Sequence, residues 1–135
     1  MYRTRVYYQD TDAGGVVYFA NYLKLFEKSW FNYLLSVGIS LPEWEKKGTF
    51  VLVKKVSLDL LDKARYGEEL EACSSISDVK NAQFTMNHAI SRNGKAITRG
   101  ETLMVCVDST GKPIRMPGDF RKRLLACQES SATTT

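Results

Sequence analysis

The chain has 135 residues, 44% hydrophobic, 25% charged and 11% aromatic, which fits one folded domain and excludes a disordered or collagen-like polymer. Its 19 Lys and Arg exceed 15 Asp and Glu for a net charge of +4, but the cations are interspersed with acids and form no nucleic-acid footprint. No apolar run approaches the roughly 20 residues that cross a bilayer, and the opening MYRTRVYYQD lacks the apolar core of a signal peptide, so the expectation is a cytoplasmic protein with no membrane span and no nucleic-acid partner.

Arg3 to Tyr8 is rich in β-branched and aromatic side chains and predicts a first strand. Gln9 to Gly15 is turn-rich and carries two adjacent glycines, so a loop separates that strand from the next element. From Asn21 to Val37 the pattern becomes helical, with Tyr22, Phe26, Trp30, Tyr33, Leu34 and Val37 three or four apart. Leu23, Leu25, Phe31 and Leu35 widen the apolar face until the helix calls for burial on most sides. Gly38 is placed to cap it, giving a rod about 25 Å long.

Leu41 to Gly48 reads as a connection with a short helical turn. Strand patterns then cover Phe50 to Leu60, Glu69 to Val79, Gln83 to Arg92 and Ala96 to Asp108. Asn93-Gly94 predicts a tight type I′ hairpin, and Ser109 to Lys112 a later turn. Pro117 to Cys127 suits a terminal helix, and the polar residues 129–135 are expected to form a disordered tail after a single domain over 1–128. One strand, one long helix and about four antiparallel strands make an α+β layer. A sheet this small leaves its edges unpaired, which predicts self-association.

Cys73, Cys106 and Cys127 are too few and too scattered for a disulfide framework or a zinc site. Cys73 and Cys106 fall in apolar strand patterns, which predicts that both are buried. The single histidine, His88, leaves little material for a zinc cluster or a Ser-His-Asp triad, and its place in a strand predicts a packing role. No metal and no cofactor is expected.

The segment Asp10 to Phe19 is the best candidate for a site, because two carboxylates, two glycines and a helix start converge there. Unpaired N–H groups at a helix start can hold a carbonyl oxygen that gains negative charge. A nearby carboxylate, Asp10 or Asp12, can attack that carbonyl or activate water. Read alone, the same pattern is more often a capped turn.

The residues Val6-Tyr7-Tyr8-Gln9-Asp10-Thr11-Asp12-Ala13-Gly14-Gly15-Val16-Val17-Tyr18-Phe19-Ala20-Asn21-Tyr22, followed by the long helix, resemble the signature of hot-dog-fold acyl-CoA thioesterases. The resemblance is to the branch that contains 4-hydroxybenzoyl-CoA thioesterase and the thioesterases associated with the Tol-Pal system. Phe50 to Val53 and Ala64 to Leu70 add support, so the likeness covers roughly Arg3 to Asp108. It implies a hot-dog fold, an antiparallel sheet wrapped around one central helix, with two subunits forming a continuous sheet and active sites at their interface. It implies that Asp12 is the catalytic carboxylate, that Asp10 shapes the loop, that the Phe19 backbone amide polarises the thioester carbonyl, and that Gly15 permits close approach.

One departure is informative. The Tol-Pal-associated members carry a histidine after the motif tyrosine, where this chain has Phe19, which cannot exchange a proton. The backbone amide survives that change, and an aromatic side chain there is more similar to the branches acting on aromatic acyl groups. The family's basic cluster for coenzyme A phosphates corresponds here to Val79 to Ala82, where Lys80 is the one cation; Arg65, Arg92, Lys95 and Arg99 are the substitutes. The resemblance thus implies an acyl-CoA thioesterase, a homodimer or homotetramer, with coenzyme A or an acyl-carrier protein presenting the thioester. A non-catalytic acyl-CoA or acyl-carrier-protein binding module is the alternative.

Overall fold

The computed structural model describes residues 1–133, with side chains through Gln128. In chain order it contains β1 (Tyr2–Arg5), α1 (Ala20–Ser36), α2 (Leu41–Lys46), β2 (Phe50–Leu60), β3 (Glu69–Val79), β4 (Gln83–Arg92), β5 (Lys95–Val107) and α3 (Gly118–Thr133). The strands form one antiparallel sheet in the order β1-β3-β4-β5-β2, so β1 and β2 are its edges. The tail expected over 129–135 has its side chains and its last two residues outside the described residues.

The first strand is shorter than its composition predicts. It ends at Arg5, because Val6 turns to exchange hydrogen bonds with Gly67 and Glu68, and Tyr8–Asp10 winds into a 3-10 turn. Arg3 and Arg5 face Glu71 and Glu69 across the ladder in exposed ion pairs at 3.4 and 3.5 Å, which blunt this edge and contribute little stability.

Helix α1 lies across the inner face of the sheet, with Tyr22, Phe26, Ser29, Trp30 and Leu34 buried against β3 and β4. Burial on most sides is not what forms: Leu23, Leu25 and Phe31 are half-buried and Leu35 is exposed, because the sheet covers one side of the helix only. The helix ends in a Schellman motif. Ile39 N–H donates to Leu34 O at 2.8 Å, Gly38 N–H to Leu35 O at 3.1 Å, and Gly38 takes φ +86°, a conformation costly for any residue with a β-carbon.

The hairpin between β4 and β5 turns on Asn93 (φ 52°) and Gly94 (φ 78°), as its sequence predicts. Past α1, Phe120 and Leu124 of α3 close the core against Phe84 and Trp44. Cys106 is buried and Cys73 is not. On β3 the inward positions are Leu70, Ala72 and Ile76, and Cys73 alternates to the outer face, where it is exposed among the described residues.

A polar chain runs through the apolar core. Ser29 Oγ lies 2.7 Å from Ser74 Oγ, Ser74 Oγ 2.8 Å from His88 Nδ1, and His88 Nε2 2.8 Å from Thr102 Oγ1. The Phe26 ring stacks on the imidazole at 4.7 Å between centroids. Hydroxyls donate or accept, so either neutral tautomer is satisfied, and among the described residues the ring nitrogens meet hydroxyls and no acid. Burial pushes the His88 pKa down to about 4. The unfolded chain takes up a proton near pH 6.5, so this site's stabilisation is complete above that pH and is lost as pH falls toward 4, by about 3 kcal/mol. Melting temperature should fall over that window in wild type, and less steeply in a His88→Asn variant that starts from lower stability at neutral pH.

Gly100 sits opposite His88 on β5, and a β-carbon there would run into the Ser57 carbonyl and the Phe26 ring. Gly100→Ala is expected to cost about 2 kcal/mol or more through overpacking, read as an earlier chemical-denaturation midpoint.

Candidate active site

The segment from Asp10 to Phe19 is a small, closed structure. Asp10 caps its own turn, its carboxylate accepting the Tyr7 N–H at 2.8 Å while its carbonyl accepts the Tyr18 N–H at 3.0 Å and the Asn21 side chain at 2.9 Å. Thr11 bridges Val17, and Asp12 N–H donates to Val16 O at 2.9 Å. The turn between them closes when Gly15 N–H donates to Asp12 O at 3.0 Å, with Gly15 at φ +78°. Asp10 therefore shapes the loop through its carboxylate and its carbonyl, and Gly15 through its positive φ.

Asp12 is exposed, and one carboxylate oxygen accepts the Gly14 N–H at 2.8 Å while the other has no partner among the described residues. Phe19 stands just before α1, and no side chain caps that helix start. Val17 N–H is taken by Ala64 O and Tyr18 N–H by Asp10 O, whereas the Phe19 N–H has no acceptor among the described residues. Asp12, with a free carboxylate oxygen, and Phe19, with an unpaired amide, thus both line one cavity of about 490 Å³. Such a pair can attack or hydrate a carbonyl and hold the resulting oxyanion.

The walls of that cavity come from a stretch the sequence did not single out. Leu60, Leu61, Asp62 and Lys63, where β2 leaves the sheet, face Tyr18 and Phe19 across it. Tyr22 forms part of the lining; burial raises its phenol pKa, and its hydroxyl accepts the Ala64 N–H at 3.4 Å. Asp62 is a second carboxylate here, but its oxygens are engaged by the Lys63 N–H at 2.8 Å and by Arg92 at 2.9 Å. The Lys63 hydrogen bond first, and Arg92 after it, hold its pKa below the usual carboxylate value. Asp62 is therefore a fixed anion, and Asp12 is the carboxylate with a free oxygen. Nothing in the local sequence marks residues 60–63, because their role arises from where β2 ends.

Lys80 stands apart. It lies beyond the far end of β3, where its N–H donates to Gln83 O and its carbonyl accepts Arg121. Arg65, bridged to Val16, marks the other end, so within one chain the two are about 30 Å apart along the strand. Among the substitutes, Arg92 is committed to Asp62 and Glu68, and Arg99 is exposed opposite Asp59 on β2. His88 lies beneath Phe26 and does not line the Asp12 cavity. Burial drives the Cys106 thiol up to about 11, which leaves no thiolate at neutral pH. Among the described residues no group of acids, histidines and cysteines is placed to hold a metal, and no helix is long and apolar enough to cross a membrane.

The family model of the thioesterase-like superfamily matches residues 6–124. Over 119 residues, 87% of this chain and 88% of the relative, the sequence is 32% identical to the acyl-CoA thioesterase YbgC of Haemophilus influenzae. Over 124 residues, 90% of each chain, it is 30% identical to the acyl-CoA thioester hydrolase YbgC of Escherichia coli. In fold it is similar to the DHNA-CoA thioesterase of Staphylococcus aureus, with a TM-score of 0.92 at 23% identity over 99% of this chain and 93% of that one. The helix laid across a curved antiparallel sheet, and the family match across nearly its whole length, establish that this chain belongs to the thioesterase-like superfamily as a hot-dog-fold thioester hydrolase.

Proposed function

We propose that this protein hydrolyses acyl-CoA thioesters with short-chain or aromatic acyl groups, with Asp12 as the catalytic carboxylate and the Phe19 N–H as oxyanion donor. The observation that carries this reading is the free Asp12 oxygen and the unpaired Phe19 amide on one apolar cavity. Leu60, Leu61, Val17 and the rings of Tyr18 and Phe19 offer an acyl group an apolar seat. The YbgC relatives support coenzyme A as the thiol carrier, and an acyl-carrier protein presents the same phosphopantetheine arm.

In the reaction, the Asp12 carboxylate adds to the thioester carbon, or takes a proton from a water that does so. The carbonyl oxygen gains negative charge beside the Phe19 N–H, and the tetrahedral centre collapses with loss of the thiolate. On the first route a mixed anhydride forms and a water then cleaves it; on both routes one water is consumed and the acid and thiol leave. The thiolate is a good leaving group, so one carboxylate and one aimed amide suffice.

The active unit in this reading is a pair of subunits. β2 is an eleven-residue edge with Leu52, Val53, Val56 and Leu60 half exposed, an apolar margin that a second β2 covers. Antiparallel pairing of the two edges sets the Leu60 end of one strand beside the Phe50 end of the other. Phe50 pairs with Val107, and Val105 with Gln83; the turn holding Lys80 of the partner subunit is thereby carried toward Asp12. This accounts for a phosphate-binding role of Lys80 despite its distance within one chain.

Thiol release over a panel of acetyl-, butyryl-, palmitoyl-, benzoyl- and hydroxybenzoyl-CoA tests the assignment. Wild type should turn over short or aromatic members, and Asp12→Asn should lose on the order of 10³-fold or more in kcat while melting as wild type. Tight acyl-CoA binding with no hydrolysis would instead identify a binding module. A single turnover in ¹⁸O-water probes the routes: label in the Asp12 carboxylate identifies an anhydride cleaved at the aspartyl carbon, whereas label in the product acid alone arises on either route. Val56→Asp should shift the protein to monomer in sedimentation and abolish turnover, and Lys80→Ala should raise KM by about tenfold with kcat kept.

A further inference from the structure

Arg92 is a cation that the hydrolase reading leaves without a task. It is the last residue of β4, its side chain is 22% exposed, and its guanidinium grips the segment joining β2 to β3 at three points. Nη1 donates to Lys63 O at 2.7 Å and to Glu68 Oε1 at 3.1 Å, and Nη2 donates to Asp62 Oδ2 at 2.9 Å. The planar fork of arginine serves all three from two nitrogens, whereas lysine would have to reach them from one.

The gripped segment is what the Asp12 loop leans on. Ala64 O accepts the Val17 N–H at 2.9 Å, and Arg65 bridges Val16, whose carbonyl in turn holds the Asp12 N–H. Glu68 Oε1 also accepts the Arg65 N–H, so one carboxylate oxygen joins Arg92 to the residue that bridges the loop. Asp62 and Lys63, both held by Arg92, are themselves walls of the cavity.

We infer that Arg92 is a positioning residue: by clamping residues 62–68 it fixes the loop that carries Asp12 and the Phe19 amide, and it does not bind the phosphates of coenzyme A. The inference rests on the hydrolase reading for its kinetic consequence and on the hydrogen bonds alone for its structural one. A carboxylate and an oxyanion donor displaced by about 1 Å lose on the order of 10- to 100-fold in rate.

The test compares wild type with Arg92→Met, Arg92→Lys and Glu68→Gln, using benzoyl- or butyryl-CoA and peptide-level hydrogen exchange over residues 10–19. The expected result for Arg92→Met is kcat down by about 10-fold or more with KM within about threefold, and faster exchange in 10–19 with β4 and β5 unchanged. Arg92→Lys should restore only part of kcat, and Glu68→Gln should add little to Arg92→Met, as expected of members of one clamp. A rise in KM at constant kcat would make Arg92 a phosphate ligand and overturn the inference. So would a lower melting temperature with kcat per folded molecule and exchange unchanged. If wild type cleaves no thioester, the hydrolase reading fails, and the exchange comparison still decides whether Arg92 holds the loop.

Discussion

Phe26 lies flat on His88 and close against β5 because position 100 carries no side chain. That contact sets how near α1 comes to the sheet and at what rotation, with Tyr22 one turn before it and Trp30 one turn after it buried on the same stripe. The site depends on it directly. The helix is one rigid body, so a shift at Phe26 moves its first turn and the free Phe19 amide with it. The polar chain from Ser29 to Thr102 serves the same end, since Ser29 ties the helix to β3 and His88 carries the chain on to β5, whichever ring nitrogen bears the proton.

The groups proposed to react, Asp12 and the Phe19 amide, lie within about ten consecutive residues, and their positioning comes from elsewhere. Asp10 closes the entry to the loop, Gly15 its turn, and Asn21 fastens it to the helix. The remaining face rests on the segment between β2 and β3, which brings a tyrosine hydroxyl, two carboxylates and an arginine together below the loop. Local chemistry is thus held in place by contacts of long sequence separation.

That division explains which features are legible in the sequence. Loop, long helix and hairpins are local, and the elements from Phe50 to Arg92 start and stop where apolar alternation and Asn93-Gly94 say they do. The features that escape a reading of the sequence depend on neighbours. β1 ends early because Val6 finds Gly67 and Glu68, far along the chain. Cys73 faces outward because the pleat alternates it away from the buried Ala72 to the exposed side of β3. Leu60 to Lys63 carry no motif and become walls through the path of β2. Likeness groups Lys80 with Asp12, and the sheet sets it at the other end of β3.

The two margins of the sheet are unequal. β1 offers four residues, braced by Arg3 and Arg5 against their neighbouring strand, and β2 offers eleven with apolar side chains half uncovered. A chain with one receptive margin and one defended margin can join a like chain through backbone pairing once and then has nothing left to offer. In the proposed β2 pairing, strand addition stops at a pair, because the short, ion-paired β1 margin disfavours a further strand.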